Sequence, residues 1–322
     1  MSLISVVIPV HNTARYLRKC IDSVLSQTLH DMEVILVENC STDGSYQLCD
    51  DLAATDSRIR VLHIEIADLA TARNRGVAAA TSEYVGFIDS DDYIAPGMYE
   101  ALYENARKYD ADMCFCNFSY DREGQIIPYS EETGEVHVMA PKDVVAAILS
   151  EKVSSCTWTK LFRRTMFDRW SFPEGRFYED HAVIYRIAGD CRTCVHVDRS
   201  YYYYFQRADS ICHTGTPIKK YHFFLADYDR IDYISKSPLF TEQEKDAMIA
   251  RQVEICLWHM RSFMKIPGFA ACRREMYEMR DKLLQICRSR KLSFRDRKSY
   301  LEIRYLWTEY LLRHIVALRM HR

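Results

Sequence analysis

The chain has 322 residues, 48% of them hydrophobic and 27% charged, with a formal net charge of −2. This is the balance of a soluble globular protein, long enough for one large domain or a catalytic domain with an appendage. The charge leaves no basic footprint for nucleic acid, and no apolar run approaches the roughly 18 residues of a membrane span.

The first third alternates between two hydrophobic periods. Ile4-Ser5-Val6-Val7-Ile8, closed by Pro9, reads as a buried strand, and Tyr16, Leu17, Cys20, Ile21, Val24 and Leu25 then recur at helical spacing. Glu33 to Val37 reads as a second strand, followed by the turn-rich Asn39-Cys40-Ser41-Thr42-Asp43-Gly44 and a helix through Tyr46, Leu48, Cys49 and Leu52. Arg60 to Ile64 is a third strand and Leu69 to Ala80 a third helix. Tyr84 to Ile88 is a fourth strand, running into Asp89-Ser90-Asp91-Asp92. Such alternation predicts βαβ units and a mostly parallel sheet flanked by helices. Ligands of such sheets bind beyond the carboxyl ends of the strands. That rule singles out His11-Asn12, Glu38-Asn39 and Asp89 to Asp92.

Met98 to Tyr109 is predicted as a helix, Ala111 to Tyr120 as a strand, and the polar stretch from Arg122 to Pro141 as a hairpin or loop. Phe223 to Ser235, Glu242 to Met264, Arg273 to Arg288 and Arg295 to His321 show helical patterning. We therefore expect two domains, 1–215 and a helical region 216–322, the latter serving acceptor, membrane or homodimer contacts. The last helix interleaves Leu301, Leu306, Leu312 and Ile315 with Arg304, Arg313 and Arg319. Its apolar stripe is read as packing on the preceding helices, with peripheral contact to an anionic membrane surface as the alternative. The N-terminus passes directly into a strand without a basic n-region or cleavage site, so no signal peptide is expected. The twelve cysteines are scattered through apolar runs and read as reduced thiols of a cytoplasmic protein. Cys191-Arg192-Thr193-Cys194 has the spacing of a zinc or redox pair, but without a partner pair nearby it reads as two thiols at a strand entrance.

Several stretches together resemble the family 2 glycosyltransferases, bacterial enzymes of the GT-A fold. They are Val6-Val7-Ile8-Pro9-Val10-His11-Asn12, Ser23-Val24-Leu25-Ser26-Gln27-Thr28, Val37-Glu38-Asn39-Cys40-Ser41-Thr42-Asp43-Gly44-Ser45, Ala72-Arg73-Asn74-Arg75-Gly76 and Phe87-Ile88-Asp89-Ser90-Asp91-Asp92-Tyr93. Downstream, Trp158-Thr159-Lys160-Leu161-Phe162, Phe172-Pro173-Glu174-Gly175, Tyr178-Glu179-Asp180 and Tyr203 to Ile211 continue the match in order. The resemblance covers about the first 210 residues. It implies a Rossmann-like GT-A domain that transfers a sugar from a nucleotide sugar, a UDP-sugar being the best fit, to a glycan or lipid-linked acceptor.

Such a reaction needs its diphosphate leaving group neutralised, which a hard divalent cation on carboxylate oxygen can do. By resemblance Asp91 binds Mn2+ or Mg2+ and Asp89 lies near the ribose or the metal shell; His213 is a further candidate for that shell, since neutral imidazole is a competent ligand. An Asp-rich turn also caps helices, yet three carboxylates within four residues repel one another unless a cation joins them. The resemblance puts the base that deprotonates the acceptor hydroxyl in Glu179-Asp180, with Asp180 as the base of an inverting attack. Pro9, His11 and Asn12 are expected to flank the nucleotide base, and Glu38 and Asn39 to contact uracil or ribose. The commoner family pattern has an aromatic residue in place of His11 and Asp-Asp-Gly in place of Glu38-Asn39-Cys40. Arg73 is expected to meet the diphosphate or brace the acidic loop, with a surface ion pair as the alternative. Trp158, Lys160, Arg207 and Ser210 fall in the acceptor-binding half, Trp158 as a sugar-stacking face or as core. A nucleotidyltransferase would need a glycine-rich phosphate loop after the first strand, and Pro9-Val10-His11-Asn12-Thr13 has no glycine. A non-catalytic carbohydrate-binding scaffold is the other alternative, and the acids at Asp91 and Asp180 argue against it.

Overall fold

The computed structural model describes residues 2–206 and 215–289. The chain divides into two compact units, Met1–Ala208 and Asp209–Arg322.

The first unit is built on strands β1 (Ile4–Val10), β2 (Met32–Asn39), β3 (Ile59–Ile64) and β4 (Tyr84–Phe87), linked by helices α1 (Ala14–Leu25), α2 (Ser45–Thr55) and α3 (Leu69–Ala79). These strands pair in the order β3-β2-β1-β4, all parallel, as the alternation of periods predicts. Every residue of β1 is buried, because helices cover both faces of the sheet here and a strand buried on both faces has no polar side. Helix α3 lies so close to β1 that a Cβ on Gly76 would collide with the Val7 side chain. Only glycine permits that approach.

Beyond β4 the sheet becomes mixed. β5 (Tyr93–Ile94) leads into α4 (Met98–Lys108) and β6 (Met113–Arg122); later come β7 (Gln125–Pro128), β8 (Val136–Met139), α5 (Pro141–Leu149), β9 (Lys160–Arg163), α6 (Glu179–Asp190) and β10 (Cys194–Phe205). The strand order continues β4-β9-β6-β10-β5, with β7 on β6 and β8 on β10. β9 runs antiparallel between β4 and β6, while β10 is parallel to β6. The polar stretch after β6 is a hairpin at its start, where Glu123 and Gly124 both have positive φ, and contributes β8 further on. Cys114 and Cys116 of β6 are buried, as are Cys191 at the end of α6 and Cys194 at the entrance of β10. The Cys191 thiol is pushed well above its ordinary range by its hydrogen bond with Cys194 and by burial.

The second unit comprises α7 (Pro217–Lys236), α8 (Glu242–Phe263) and α9 (Arg273–Ser289), with α7 packed on both others. Phe224, Ile231 and Ile234 of α7 are buried, as are Cys256, Leu257 and Met260 of α8 and Met276, Met279 and Leu283 of α9. Thr241 and Glu244 close a capping box that starts α8. Among the described residues no helix is long and apolar enough to cross a membrane. The predicted helix through 295–321 lies outside the described residues, as do Arg207, Ser210 and His213.

Candidate active site

The polar residues that end β1 and β2 hold each other. Asn12 adopts a left-handed φ of 53°, and its side-chain oxygen accepts the Thr42 amide at 2.8 Å while its own amide donates to Ser41 Oγ at 3.1 Å. His11 Nδ1 lies 2.6 Å from the Asn39 carbonyl. A carbonyl only accepts, so that nitrogen carries the proton and Nε2 is left to accept from Asn12 Nδ2 at 3.2 Å. Glu38 is buried: one carboxylate oxygen accepts the Ser41 amide at 2.7 Å and the other faces His63 Nδ1 at 3.4 Å. His63 is itself stacked on Tyr46 and bonded to Asp50. Asn39 is buried as well, its side-chain oxygen accepting the Asp68 amide at 3.2 Å. The side-chain carbonyl of Asn39, a residue expected to contact uracil or ribose, thus already serves the loop with one of its lone pairs. Cys40 is exposed at φ 59°, a left-handed position that accounts for the glycine the commoner family pattern carries there. Pro9 is buried within β1.

The four residues of the acidic turn point in different directions. The Asp92 amide donates to the Asp89 carbonyl at 3.0 Å and closes the turn. Asp92 is buried, and its carboxylate accepts from the Tyr202 hydroxyl at 2.6 Å and the Phe205 amide at 2.8 Å. Burial, with Asp91 and Asp89 close by, pushes its carboxyl well above the usual range. The Tyr202 hydroxyl also accepts the Asp89 amide at 3.2 Å, so the turn is tied to β10 at two points. Ser90 is buried against Thr13, oxygen to oxygen 2.9 Å. Asp89, with 28% of its side chain exposed, and the half-buried Asp91 are the acids of the turn that are not fully buried.

Arg73 joins this turn to the far motifs. It rises from α3, is 2% exposed, and sits over the Phe172 ring. One nitrogen donates to Asp89 at 2.9 Å and another is ion-paired with Glu179. It is therefore a buried clamp between two carboxylates, and the surface ion-pair alternative is excluded. The adjacent Asn74 exchanges two hydrogen bonds of 2.9 Å with the Phe172 backbone, and Asp68, which caps α3, accepts the Gly175 amide. Through these contacts the stretch around Phe172-Pro173-Glu174-Gly175 and the start of α6 are fastened to α3.

Glu179 and Asp180 occupy the first turn of α6, where the helix dipole favours carboxylates. Glu179 is buried in the Arg73 pair, whereas Asp180 is half-buried. His181 Nδ1 is 2.9 Å from Ser155 Oγ, which braces α6 against the loop 154–159. Lys160 organises that loop. It is 1% exposed, and its ammonium donates to the carbonyls of Ser154 and Cys156 at 2.8 and 2.6 Å and to Thr159 Oγ1. Trp158 is 8% exposed, stacked on Tyr202 with ring centres 4.2 Å apart and edge-on to Phe118. Neither side chain presents the open face expected for direct acceptor contact: burial gives Trp158 its core role and ties the Lys160 charge to backbone oxygens.

Among the described residues no three His, Cys, Asp or Glu side chains gather closely enough to form a metal cage. The Asp89 and Asp91 pair instead fits a Mg2+- or Mn2+-type ion, which takes one or two carboxylates and fills its other positions with phosphate oxygens and water. Sequence reasoning missed Thr13, Asp68, Asn74 and Tyr202. Asn74 was legible within the Arg73 motif. Tyr202 lay hidden in a run of tyrosines that alternate between two faces of a strand.

Residues 5–190 match the sequence model of Glycosyl transferase family 2. Glycosyltransferase GlyG of Streptococcus pneumoniae serotype 4 is 34% identical over 223 residues, which cover 66% of this chain and 73% of that protein. The uncharacterized glycosyltransferase EpsJ of Bacillus subtilis is 32% identical over 223 residues, covering 67% and 64%. In structure, the chain is similar to S. aureus TarS 1-349 in complex with UDP-GlcNAc, with a TM-score of 0.70 at 20% identity over 88% of this chain and 81% of that one. The fold is thus that of the GT-A enzymes, and the match over most of the first unit carries the assignment: the chain belongs to glycosyl transferase family 2 and is a glycosyltransferase.

Proposed function

We propose that this enzyme transfers a sugar from a UDP-sugar to a hydroxyl of a glycan or lipid-linked acceptor with inversion, Asp180 acting as the base. The observation that carries the reading is the Arg73 clamp, which brings Asp89 of the acidic turn and Glu179, the neighbour of Asp180, onto one guanidinium. Donor-side and acceptor-side acids are thereby held within a single side chain's span. The UDP-GlcNAc bound to TarS supports a uridine donor here.

The divalent ion implied by the acidic turn would neutralise the diphosphate, with Asp91 as its main ligand and Asp89 beside it. Asp180 suits the base and Glu179 does not, because the Glu179 carboxylate is committed to Arg73 in the interior while that of Asp180 is accessible. The acceptor oxygen attacks the anomeric carbon as the bond from that carbon to the diphosphate oxygen breaks. The hydroxyl proton passes to Asp180 and UDP leaves with the bonding pair. Asn12, Thr42, Glu38 and Asn39 fix the shape of the base-binding loops through their mutual bonds, so base recognition falls on the atoms those bonds leave open. A nucleotide-sugar donor and reduced cysteines fit a cytoplasmic reaction, at the inner face of the membrane if the acceptor is lipid-linked.

The test is UDP release from a panel of UDP-sugars with Mn2+ or Mg2+, alongside calorimetric binding of the same donors. Metal-dependent binding of at least one donor is expected. Failure of every UDP-, GDP- and TDP-sugar to bind with metal present would overturn the reading.

A further inference from the structure

Past the acidic turn, the chain forms a second concave site that the transfer chemistry does not use. Between β5, the start of α4 and the middle of β10 lies a cavity of about 390 Å3, lined among others by Glu100, Glu104, Arg199, Ser200, Tyr201 and Tyr203. The fold opens it by interrupting the edge of β10. β8 and the residues before it cover that edge as far as Asp198, and Ala95 and β5 cover it from Tyr201 on, while the register against β6 shifts on both sides of Ser200. Such a bulge re-aims side chains. Tyr201 and Tyr203 alternate with the buried Tyr202 and so share the other face of the strand.

The lining is chemically unusual for an idle surface. Glu100 and Glu104 stand one helical turn apart on α4, an arrangement of like charges that costs helix stability. Glu100 accepts from Thr28, but Glu104 is exposed and has no hydrogen-bond or ion-pair partner among the described residues. Ser200 Oγ is buried without a hydrogen-bond partner among the described residues. Arg199 supplies a charged donor over the Tyr201 ring. Tyrosine rings, one stacked on Tyr93 and one beneath Arg199, carboxylate acceptors and a guanidinium donor together suit a ligand with apolar C–H edges and hydroxyls that both donate and accept. A saccharide is such a ligand. A cationic peptide would satisfy the glutamates but meet Arg199 with like charge.

We propose that this groove is a second saccharide-binding site. Resting on the transfer reading given above, it would hold a more distant part of a glycan acceptor. Ala95 at its rim is three residues beyond Asp92, so the rim of the groove lies within about 10 Å of the end of the turn, the reach of an extended chain of that length.

The test is saturation-transfer NMR on the full chain with cellotetraose, chitotetraose and maltotetraose as probes, tetralysine as the rival, and UDP-sugar binding measured on the same samples. At least one tetrasaccharide should bind. Glu104→Arg should weaken it by about tenfold or more, and the isosteric Glu104→Gln by less. Absence of binding by all three sugars, equal binding to Glu104→Arg, or binding of tetralysine in their place overturns the proposal. Sugar binding lost in Glu104→Arg upholds the site even if no UDP-sugar binds, in which case it is the transfer reading that fails.

Discussion

The buried guanidinium of Arg73 is ion-paired with the buried carboxylate of Glu179, 106 residues further along the chain. The same guanidinium holds Asp89, so one cation fixes the distance between the acidic turn and the start of α6. Removing one member of a buried pair strands the other without water or counter-charge, at a cost of about 3–5 kcal/mol. Arg73→Ala should therefore lower stability by that order in urea unfolding and abolish donor binding. Arg73→Met combined with Glu179→Leu removes both buried charges and should recover most of the stability while leaving transfer dead. If the double variant is no more stable than Arg73→Ala, the pair is not what the single substitution disrupts.

Asp91 and Asp180 are half-buried and lie outside the Arg73–Glu179 pair, and their substitutions should separate binding from chemistry. Asp91→Ala is expected to lose metal-dependent donor binding. Asp180→Asn should bind donor like the wild type and transfer about 10²- to 10⁴-fold more slowly, the usual contribution of a general base. Single-turnover transfer and calorimetric donor binding measured on both variants check the assignment. Near wild-type transfer by Asp180→Asn would remove the base from this residue.

The contact between Gly76 and Val7 sets how closely α3, and with it Arg73, approaches the sheet. Gly76→Ala forces a methyl into the Val7 side chain, an overpacking that typically costs about 1–3 kcal/mol. Val7→Ala on that background makes room, so the double variant should be destabilised by less than the sum of the two single changes. A double-mutant cycle in urea measures the coupling; strict additivity would contradict the contact.

His196 is stacked on Phe115, with Nε2 2.8 Å from Asn117 Oδ1, and burial holds its imidazole below its ordinary value of 6.5. A depressed histidine favours the neutral form in the folded state. Its contribution is therefore complete above the unfolded value and is lost as pH falls through the folded one. The melting temperature should drop between about pH 7 and about pH 5, and the slope should flatten in His196→Phe. An unchanged slope in that variant would assign the effect to other histidines.

The parallel half of the sheet was legible in the sequence because β1 to β4 alternate with helices at regular spacing and their apolar runs are continuous. The antiparallel β9 and the β8 pairing were not, since these short strands stand outside the alternation of strands and helices that made β4 readable. The motifs around Asp91 and Glu179-Asp180 could likewise be read locally, as acids at the end of a strand and the start of a helix. Their division of labour could not. Asp89, Asp92, Glu179 and Asp180 are all carboxylates in the sequence, and what separates them is burial and partner: Asp92 against Tyr202, Glu179 against Arg73, with Asp89 and Asp180 left reachable from solvent. Trp158 and Lys160 were motif residues with several roles open to them, and packing chose the interior one for both. Local pattern determines where a chain places its acids, because strand and helix periods are local. Which of those acids keeps an accessible charge is decided only in the tertiary structure, because desolvation and ion pairing depend on residues that are distant in sequence.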